Sequence, residues 1–419
     1  MGRMAADCNL GPCRATGRDA ESLPPPRPVP APDVTVPGRF AVLFAAQFAA
    51  VGVLMPFLPA VLAGHGLGPG QIAVVLATGS AVRLLAAPAV GRGADGFGDA
   101  RSILVLAAAL ATCTVSAFAW GPSLGLPGYA ALIGVAMLHA MVSAPVVPLS
   151  DTLCLAAAGR LRFDYGRVRS AGSASYIVAA IGAGVAVQWA GPVAVIWLAA
   201  AAFLATALAA RGLPALPTTG GGRGGFLAPF ADPAFRWLLP LSGLIQGSHA
   251  LYYGFSTLHW TAAGLSPSVI GLLWGEGVVV EVALFLWGRP LADRLGPAGL
   301  AVVAALAGVL RWSVLAETTW LPALAVVQLL HALTFGCMHL GAMRVLGGMP
   351  PGQAATAQTL HASVGVGLAS GLLTLGCGPL YAAYGGGGFW AMAALCGLAL
   401  PLAALLQAAL KRRQRLPSG

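Results

Sequence analysis

Charge is what this chain has least of. Asp, Glu, Lys and Arg make up 9% of its 419 residues, against about a quarter of a soluble globular domain. So few charges cannot cover a water-facing surface, which excludes a soluble multidomain protein. Lysine is almost missing: of 23 basic residues only Lys411 is one. Cysteine is sparse as well, and none of the seven (Cys8, Cys13, Cys113, Cys154, Cys337, Cys377, Cys396) stands in a Cys-x-x-Cys pair. That excludes a disulfide framework and a structural zinc site, and no metal ligand set is expected. No nucleophile and base sit on adjacent turns, so an enzyme is not expected.

What the chain has is apolar length. Apolar residues make up 58% of it, and the mean hydropathy is +0.82. A spanning helix needs about 20 apolar residues, so the length after the N-terminal tail suggests about twelve spans. They are expected near residues 38–62, 70–90, 102–120, 128–150, 166–189, 193–210, 235–261, 269–292, 299–315, 321–346, 353–375 and 389–410. Residues 1–37, rich in Pro and lacking an apolar run behind their basic residues, read as a disordered tail and not as a secretory signal. A Gly- and Pro-rich connection at 211–233 divides a first six-helix bundle, 38–210, from a second, 234–410, and 411–419 form a basic tail. With 57 glycines and abundant alanine, helices can approach closely where no hydrophobic drive pulls them together.

The net charge of +10 need not mean nucleic acid. Arg92 and Arg101, Arg160, Arg162, Arg167 and Arg169, Arg211, Arg223 and Arg236, Arg289 and Arg294, Arg344, and the C-terminal Lys411, Arg412, Arg413 and Arg415 all fall on one side of the twelve-span plan. The alternate loops hold no Lys or Arg. This is the positive-inside pattern: both termini are expected in the cytoplasm, with anionic membrane lipid as the counterpart of the charge. Arg83 and Arg311 are the two arginines left inside spans.

The most polar intramembrane stretch is Gln328 to His339. At about 100° per residue, His331, Thr334, Phe335, Met338 and His339 share one broad helix face. Polar side chains inside a span mark a functional site by default. The span-two end Gly91-Arg92-Gly93-Ala94-Asp95 and the span-eight end Leu291-Ala292-Asp293-Arg294 put Asp95 and Asp293 at the same place in two halves, the parallel-repeat plan of transporters.

The Gly-x-x-x-Asp pattern with a following Arg resembles the loop signature of the major facilitator superfamily, where the acidic residue and its basic neighbours clamp the ends of the helices. That assigns a gating role to Asp95, Asp293 and Arg294. Pro148-Leu149-Ser150-Asp151 with Tyr165-Gly166-Arg167-Val168-Arg169, then Ser248-His249-Ala250-Leu251-Tyr252-Tyr253-Gly254, Gly271-Leu272-Leu273-Trp274 with Glu281, Arg311-Trp312, and Ala357-Gln358 are similar to the phenylpropionate permease branch. That branch is related to lactose permease and the nucleoside proton symporters. The resemblance implies an all-α membrane protein of twelve helices. It further implies proton-coupled import of a small organic solute across the bacterial inner membrane, by a monomer needing no cofactor. An aromatic acid is the favoured substrate, and a sugar or nucleoside the next. Efflux and a non-transporting membrane sensor are the alternatives.

Lactose permease carries a carboxylate, an Arg and a His in spans eight, nine and ten, and Glu281, Arg311 and His331 occupy those spans here. Where lactose permease has a second carboxylate this chain has Thr334, so either Glu281 carries the proton or Glu276 contributes. Glu276 lies about 140° around the helix from Glu281. Glu281 and Arg311 read either as a proton-coupling pair or as a static buried one, and His331 as a relay or a satisfied core histidine. His339 leans towards a structural place, and its other reading is a substrate contact. His249, Tyr252 and Tyr253 read as a cavity wall able to stack on an aromatic substrate, or as an interfacial belt. Asp151 and Arg169 form either a substrate or gate contact or a membrane-edge pair. Arg83 could attract an anion or pair with a helix end, and Gln328, Thr334 and Gln358 complete the candidate substrate contacts.

Overall fold

The computed structural model describes residues 35–97, 100–120, 128–214 and 227–415; the side chains of 85–97, 351, 355, 414 and 415 are outside that description. Most of the expected N-terminal tail, the middle of the central connection and the last residues therefore lie outside the described residues.

Each of the twelve segments expected from the sequence is helical, and several are broken where the chemistry requires it. The first half comprises α1 (Thr35–Gly64), α2 (Pro69–Phe97), α3 (Ala100–Trp120), α4 (Gly128–Ser143), α5 (Val146–Leu161), α6 (Tyr165–Ala190) and α7 (Ala194–Arg211). α4 and α5 together form the fourth span; Pro145, which has no N–H to give, stands at the break. α2 continues well past residue 90, where the sequence placed a loop.

The second half comprises α8 (Pro233–Gly247), α9 (Ala250–Ala262), α10 (Pro267–Trp287), α11 (Arg289–Glu317), α12 (Leu321–Gln328), α13 (Met338–Gly347), α14 (Pro351–Leu360), α15 (Ala369–Tyr384) and α16 (Phe389–Arg415). Proline at the first turn and a capping side chain start α8 and α10: Asp232 accepts from the Ala234 N–H at 2.7 Å, and Ser266 from that of Val269 at 3.4 Å. The seventh span breaks between α8 and α9, where Gly247 meets Ser248, whose hydroxyl donates back to the Ile245 carbonyl at 2.7 Å. Within α11, Gly296 takes φ 64° and Pro297 follows, so a short rim segment turns into the ninth span. The tenth and eleventh spans each contain a π-helical stretch, Ala332–Cys337 and His361–Leu368. Such wide turns recur at functional sites because they re-aim side chains.

The apolar core shows how the halves meet. One cluster runs through both, from Phe57, Val61 and Val195 to Trp260, Ile270 and Trp274. These residues lie towards the end whose loops lack Lys and Arg. Towards the basic end the halves keep separate clusters, around Phe40, Phe44 and Leu153 in one and Phe235, Leu300 and Leu346 in the other. Backbone approaches agree. A Cβ on Gly184 would collide with the Pro267 carbonyl, and one on Gly271 would sit 2.6 Å from that of Ala180, so α6 and α10 touch directly there. A Cβ on Gly378 of α15 would likewise sit 2.7 Å from the Pro69 carbonyl of α2. Small residues make this contact possible. The two halves are thus sealed at the Arg-free end and parted at the other.

Candidate functional site

Two cavities lie between the halves. One, of about 450 Å³, is lined by Gln47, Arg83, His139, Ser143, Tyr253 and neighbouring apolar residues. The other, of about 1120 Å³, runs from Arg169 and Tyr165 to Glu281, His331 and His339. Val51, Met55 and Tyr253 line both and form the wall between them.

Arg311 organises the wall of the larger cavity. It is fully buried in α11. Its Nη1 donates to His331 Nδ1 at 3.0 Å and to Thr334 Oγ1 at 3.2 Å, and its Nη2 donates to Gln328 Oε1 at 2.8 Å. The guanidinium carbon lies 4.7 Å from the ring centres of both Tyr252 and Trp312. Among the described residues no carboxylate comes within ion-pair distance of it. Bonds from a charged donor contribute about 1.5–3 kcal/mol each, and ring faces about 0.5–2 kcal/mol, which offsets part of the cost of burying the cation.

This network fixes the state of His331. A guanidinium only donates, so Nδ1 must accept and the ring proton sits on Nε2. Nε2 faces Glu281 Oε2 at 3.3 Å. Glu281 therefore communicates with Arg311 through a neutral imidazole and does not touch it. The sequence placed these three residues in adjacent spans; the structure brings them into one chain with the histidine in the middle.

Gln328 Nε2 donates to the Tyr252 hydroxyl at 2.7 Å and to the Leu273 carbonyl at 2.9 Å. His249 Nδ1 donates to the Ile245 carbonyl at 3.1 Å, which leaves Nε2 to accept from Thr334 Oγ1 at 3.1 Å. Tyr253 stacks between His249 and Trp274, with ring centres 5.6 Å and 6.0 Å away. The rings of His331, Phe335 and His339 stack nearly parallel, tilted by 12° and 3° at successive steps. Met338, expected on the same face, is instead buried in the second-half core. The π-helical stretch has changed the rotational phase of the helix after Ala332.

Across the same cavity, Asp151 accepts from the Tyr165 hydroxyl at 2.9 Å and lies 3.6 Å from Arg169 Nε. The Arg169 guanidinium covers the Phe48 ring at 3.8 Å. Arg83 lines the smaller cavity, is exposed, and has no hydrogen-bond or ion-pair partner among the described residues.

Other candidates stand apart. Glu276 is half-buried, lines neither cavity and has no polar partner among the described residues. Gln358 is exposed on α14 and also lines neither. Asp293 is bound by Arg344 of α13 and, at 3.7 Å, by Arg289; Arg294 is exposed beside them and makes no ion pair among the described residues. Asp95 lies in α2, and its side chain falls outside the described residues. Gln47 and His139 were not singled out as site residues from the sequence. A lone Gln or His on an apolar helix reads as core, and nothing in its spacing says otherwise.

Residues 39–392 match the model of the MFS_1 like family. The chain belongs to that family. It is a multi-span membrane transporter of the major facilitator superfamily, and not an enzyme. It is 32% identical over 357 residues to the probable 3-phenylpropionic acid transporter of Escherichia coli (strain K12), covering 83% of this chain and 91% of that one. It is 25% identical to the maltose permease of Geobacillus stearothermophilus, over 90% of this chain and 95% of the permease. Among solved structures it is similar to the nucleoside transporter NupG, with a TM-score of 0.76 and 15% identity over 90% of this chain and 99% of NupG. A bacterial homologue of the lysosomal transporter Spinster, in an inward-facing conformation, matches with a TM-score of 0.69 at 13% identity, over 92% of this chain and 98% of the homologue. These last two likenesses concern the fold.

Proposed function

We propose that this transporter is a proton symporter that imports a small aromatic carboxylate of phenylpropionate size. It works as a monomer in the bacterial inner membrane, with both termini in the cytoplasm. The observation that carries the reading is the Arg311–His331–Glu281 chain. Glu281 is a carboxylate on a cavity wall, and the state of its histidine partner is set by a buried cation. All three lie in the second half, so a rearrangement within that half, or a change in how the first half covers this wall, that alters the contact would alter the proton affinity of Glu281, which is what coupling requires. The aromatic side chains around Tyr253 suit a planar apolar substrate, and the unpaired cation Arg83 suits an anion. The likeness to the probable 3-phenylpropionic acid transporter points the same way. No cofactor is required, because the proton gradient supplies the driving force.

The test is uptake of radiolabelled 3-phenylpropionate into proteoliposomes with an alkaline interior. Accumulation above equilibrium, abolished by a protonophore, is the expected result. Accumulation of a sugar or nucleoside under the same gradient, with none of the aromatic acid, would overturn the substrate assignment.

A further inference from the structure

The smaller cavity is lined by several polar side chains that each keep at least one atom without a partner among the described residues. Gln47 is 1% exposed and His139 5% exposed, yet among the described residues Gln47 Nε2 and His139 Nε2 have no hydrogen-bond partner, and neither does the Ser143 hydroxyl. All three residues line the cavity, as does Arg83, which is exposed and has no hydrogen-bond or ion-pair partner among the described residues. Buried polar groups left without partners each cost about 1–3 kcal/mol, so several around one cavity mark a place where something binds. The volume of about 450 Å³ suits a small organic molecule.

The groups are not scattered at random along the cavity. Gln47 is held from behind, its Oε1 accepting from Ser150 at 2.8 Å, so its amide N–H groups face forward. Ser150 belongs to α5, towards the basic end of the first half. Gly79 of α2 packs on Ala140 of α4, with its Cβ position 3.8 Å from that methyl, so Arg83, one turn further along α2, stands at the level of Ser143 and beyond. Arg83, Ser143 and Gln47 therefore make a donor-rich end. His139 lies one turn nearer the Arg-free end, about 6 Å away along α4 at about 1.5 Å per residue. There it is fixed by Thr114 at 3.1 Å and set edge-on to Phe118 and Phe203.

We infer that this cavity is the seat of the substrate: Arg83 and Gln47 take its carboxylate, and His139 takes a second polar substituent on its ring. The inference rests on the transport of aromatic acids proposed above, and it extends that reading to the position and substitution of the substrate. A guanidinium and an amide offer N–H groups only towards the cavity, which suits an oxyanion and no neutral acceptor as well. The apolar walls supplied by Val51, Leu54, Met55 and Phe118 suit a ring. Tyr253 closes the space towards the larger cavity. Bound here, an anion would lie on the far side of Tyr253 from Glu281, so proton and substrate occupy separate chambers that share one wall. Acids with a hydroxyl on the ring are then preferred over the unsubstituted acid, because they satisfy His139 as well.

The experiment measures binding to the purified full chain in nanodiscs, by scintillation proximity and competition. The probes are 3-phenylpropionate, 3-(4-hydroxyphenyl)propionate and the neutral 3-phenylpropanamide. Wild-type protein should bind the hydroxylated acid several-fold more tightly than the plain acid, and both far more tightly than the amide. Arg83→Gln should weaken both acids at least tenfold and erase their advantage over the amide, and Arg83→Lys should recover part of it. His139→Leu should reduce the ratio of hydroxylated to plain acid affinity towards one. Retained discrimination between acid and amide in Arg83→Gln, or an unchanged ratio in His139→Leu, would overturn the assignment of the cavity while leaving aromatic-acid transport intact. Failure of the wild-type protein to bind any aromatic acid would overturn both. Thermal melting of each variant separates a lost ligand contact from a lost fold.

Discussion

The Thr257 hydroxyl donates to the carbonyl of Pro56 at 2.6 Å and accepts from the Trp274 indole at 3.3 Å. The first of these bonds joins the two halves, from α9 to α1, inside the apolar cluster that seals the Arg-free end. Removing one such buried bond costs about 1 kcal/mol, or about a fivefold change in an equilibrium constant. Thr257→Val keeps the shape and loses the donor, so it should shift the protein towards the form open at this end. Labelling of a cysteine at Tyr253 by an impermeant reagent added outside should rise about fivefold.

The α6–α10 contact makes a stronger prediction. Because a Cβ on Gly271 would meet the Ala180 carbonyl at 2.6 Å and the Cα of Gly184 at 3.3 Å, Gly271→Val cannot be accommodated without parting the helices. Gln188 and Ser268, hydrogen-bonded across this contact, provide the reporter. A cysteine pair at these two positions should crosslink readily in the parent protein and at least tenfold more slowly in the Gly271→Val background, with net uptake lost.

Glu281 and Arg311 should fail differently. Glu281→Gln keeps a partner for the His331 Nε2–H but cannot release a proton, so uphill accumulation should vanish while exchange of substrate down its gradient persists. Arg311→Lys cannot reproduce contacts to Gln328, His331 and Thr334 at once. It should cost at least about 2 kcal/mol of stability, seen as a lower melting temperature, as well as transport. Uphill accumulation by the Glu281→Gln protein would remove that residue from the coupling mechanism.

The two neighbouring tyrosines should also separate. Tyr252 lines the larger cavity but is 2% exposed and packed against Trp274, whereas Tyr253 is the shared wall of both cavities. In a cysteine-free background, a cysteine at Tyr253 should react quickly and be protected by substrate. One at Tyr252 should react slowly with or without it.

At the basic rim, Asp293 is exposed and bound by Arg344 and Arg289, so the pair contributes little to stability. Asp293→Asn should change the melting free energy by less than about 1 kcal/mol. Its effect should appear in the turnover rate, because Arg344 joins the rim to the end of the tenth span through the Ala292 carbonyl as well, at 2.7 Å.

Much of this was readable beforehand, for a physical reason. A bilayer imposes a length and a composition on every segment that crosses it, so the twelve segments emerge from hydropathy alone. Glu281 and Arg311 stood out because charge is costly inside a span, but their grouping with His331 came from the resemblance to lactose permease. What was not readable is rotation about each helix axis. Glu276 and Gln358 sit on suitable spans but turn away from both cavities, whereas Gln47 and His139 turn inward. Nor does the sequence mark the π-helical stretch Ala332–Cys337, after which Met338 turns into the core while His339 keeps the cavity face. The partner of Asp293 illustrates the same limit: Arg294 is adjacent in the chain, but the bend at Gly296 leaves Arg344 to meet the carboxylate.

The absence of a carboxylate against Arg311 among the described residues has a consequence for stoichiometry. With Glu281 ionised, its charge and that of Arg311 cancel across the imidazole between them. A proton on Glu281 alone would leave one uncompensated elementary charge in a medium of low permittivity. A bound organic anion cancels it. In the symport proposed above, and with Arg83 counted, the carrier holding a proton without the anion bears one positive charge more than the carrier holding both or neither, which disfavours slippage of protons without cargo. One proton with one monoanion also moves no net charge. Its flux should therefore respond to the pH difference across the membrane and be nearly indifferent to voltage, although a single unbalanced charge would experience about 2.3 kcal/mol per 100 mV.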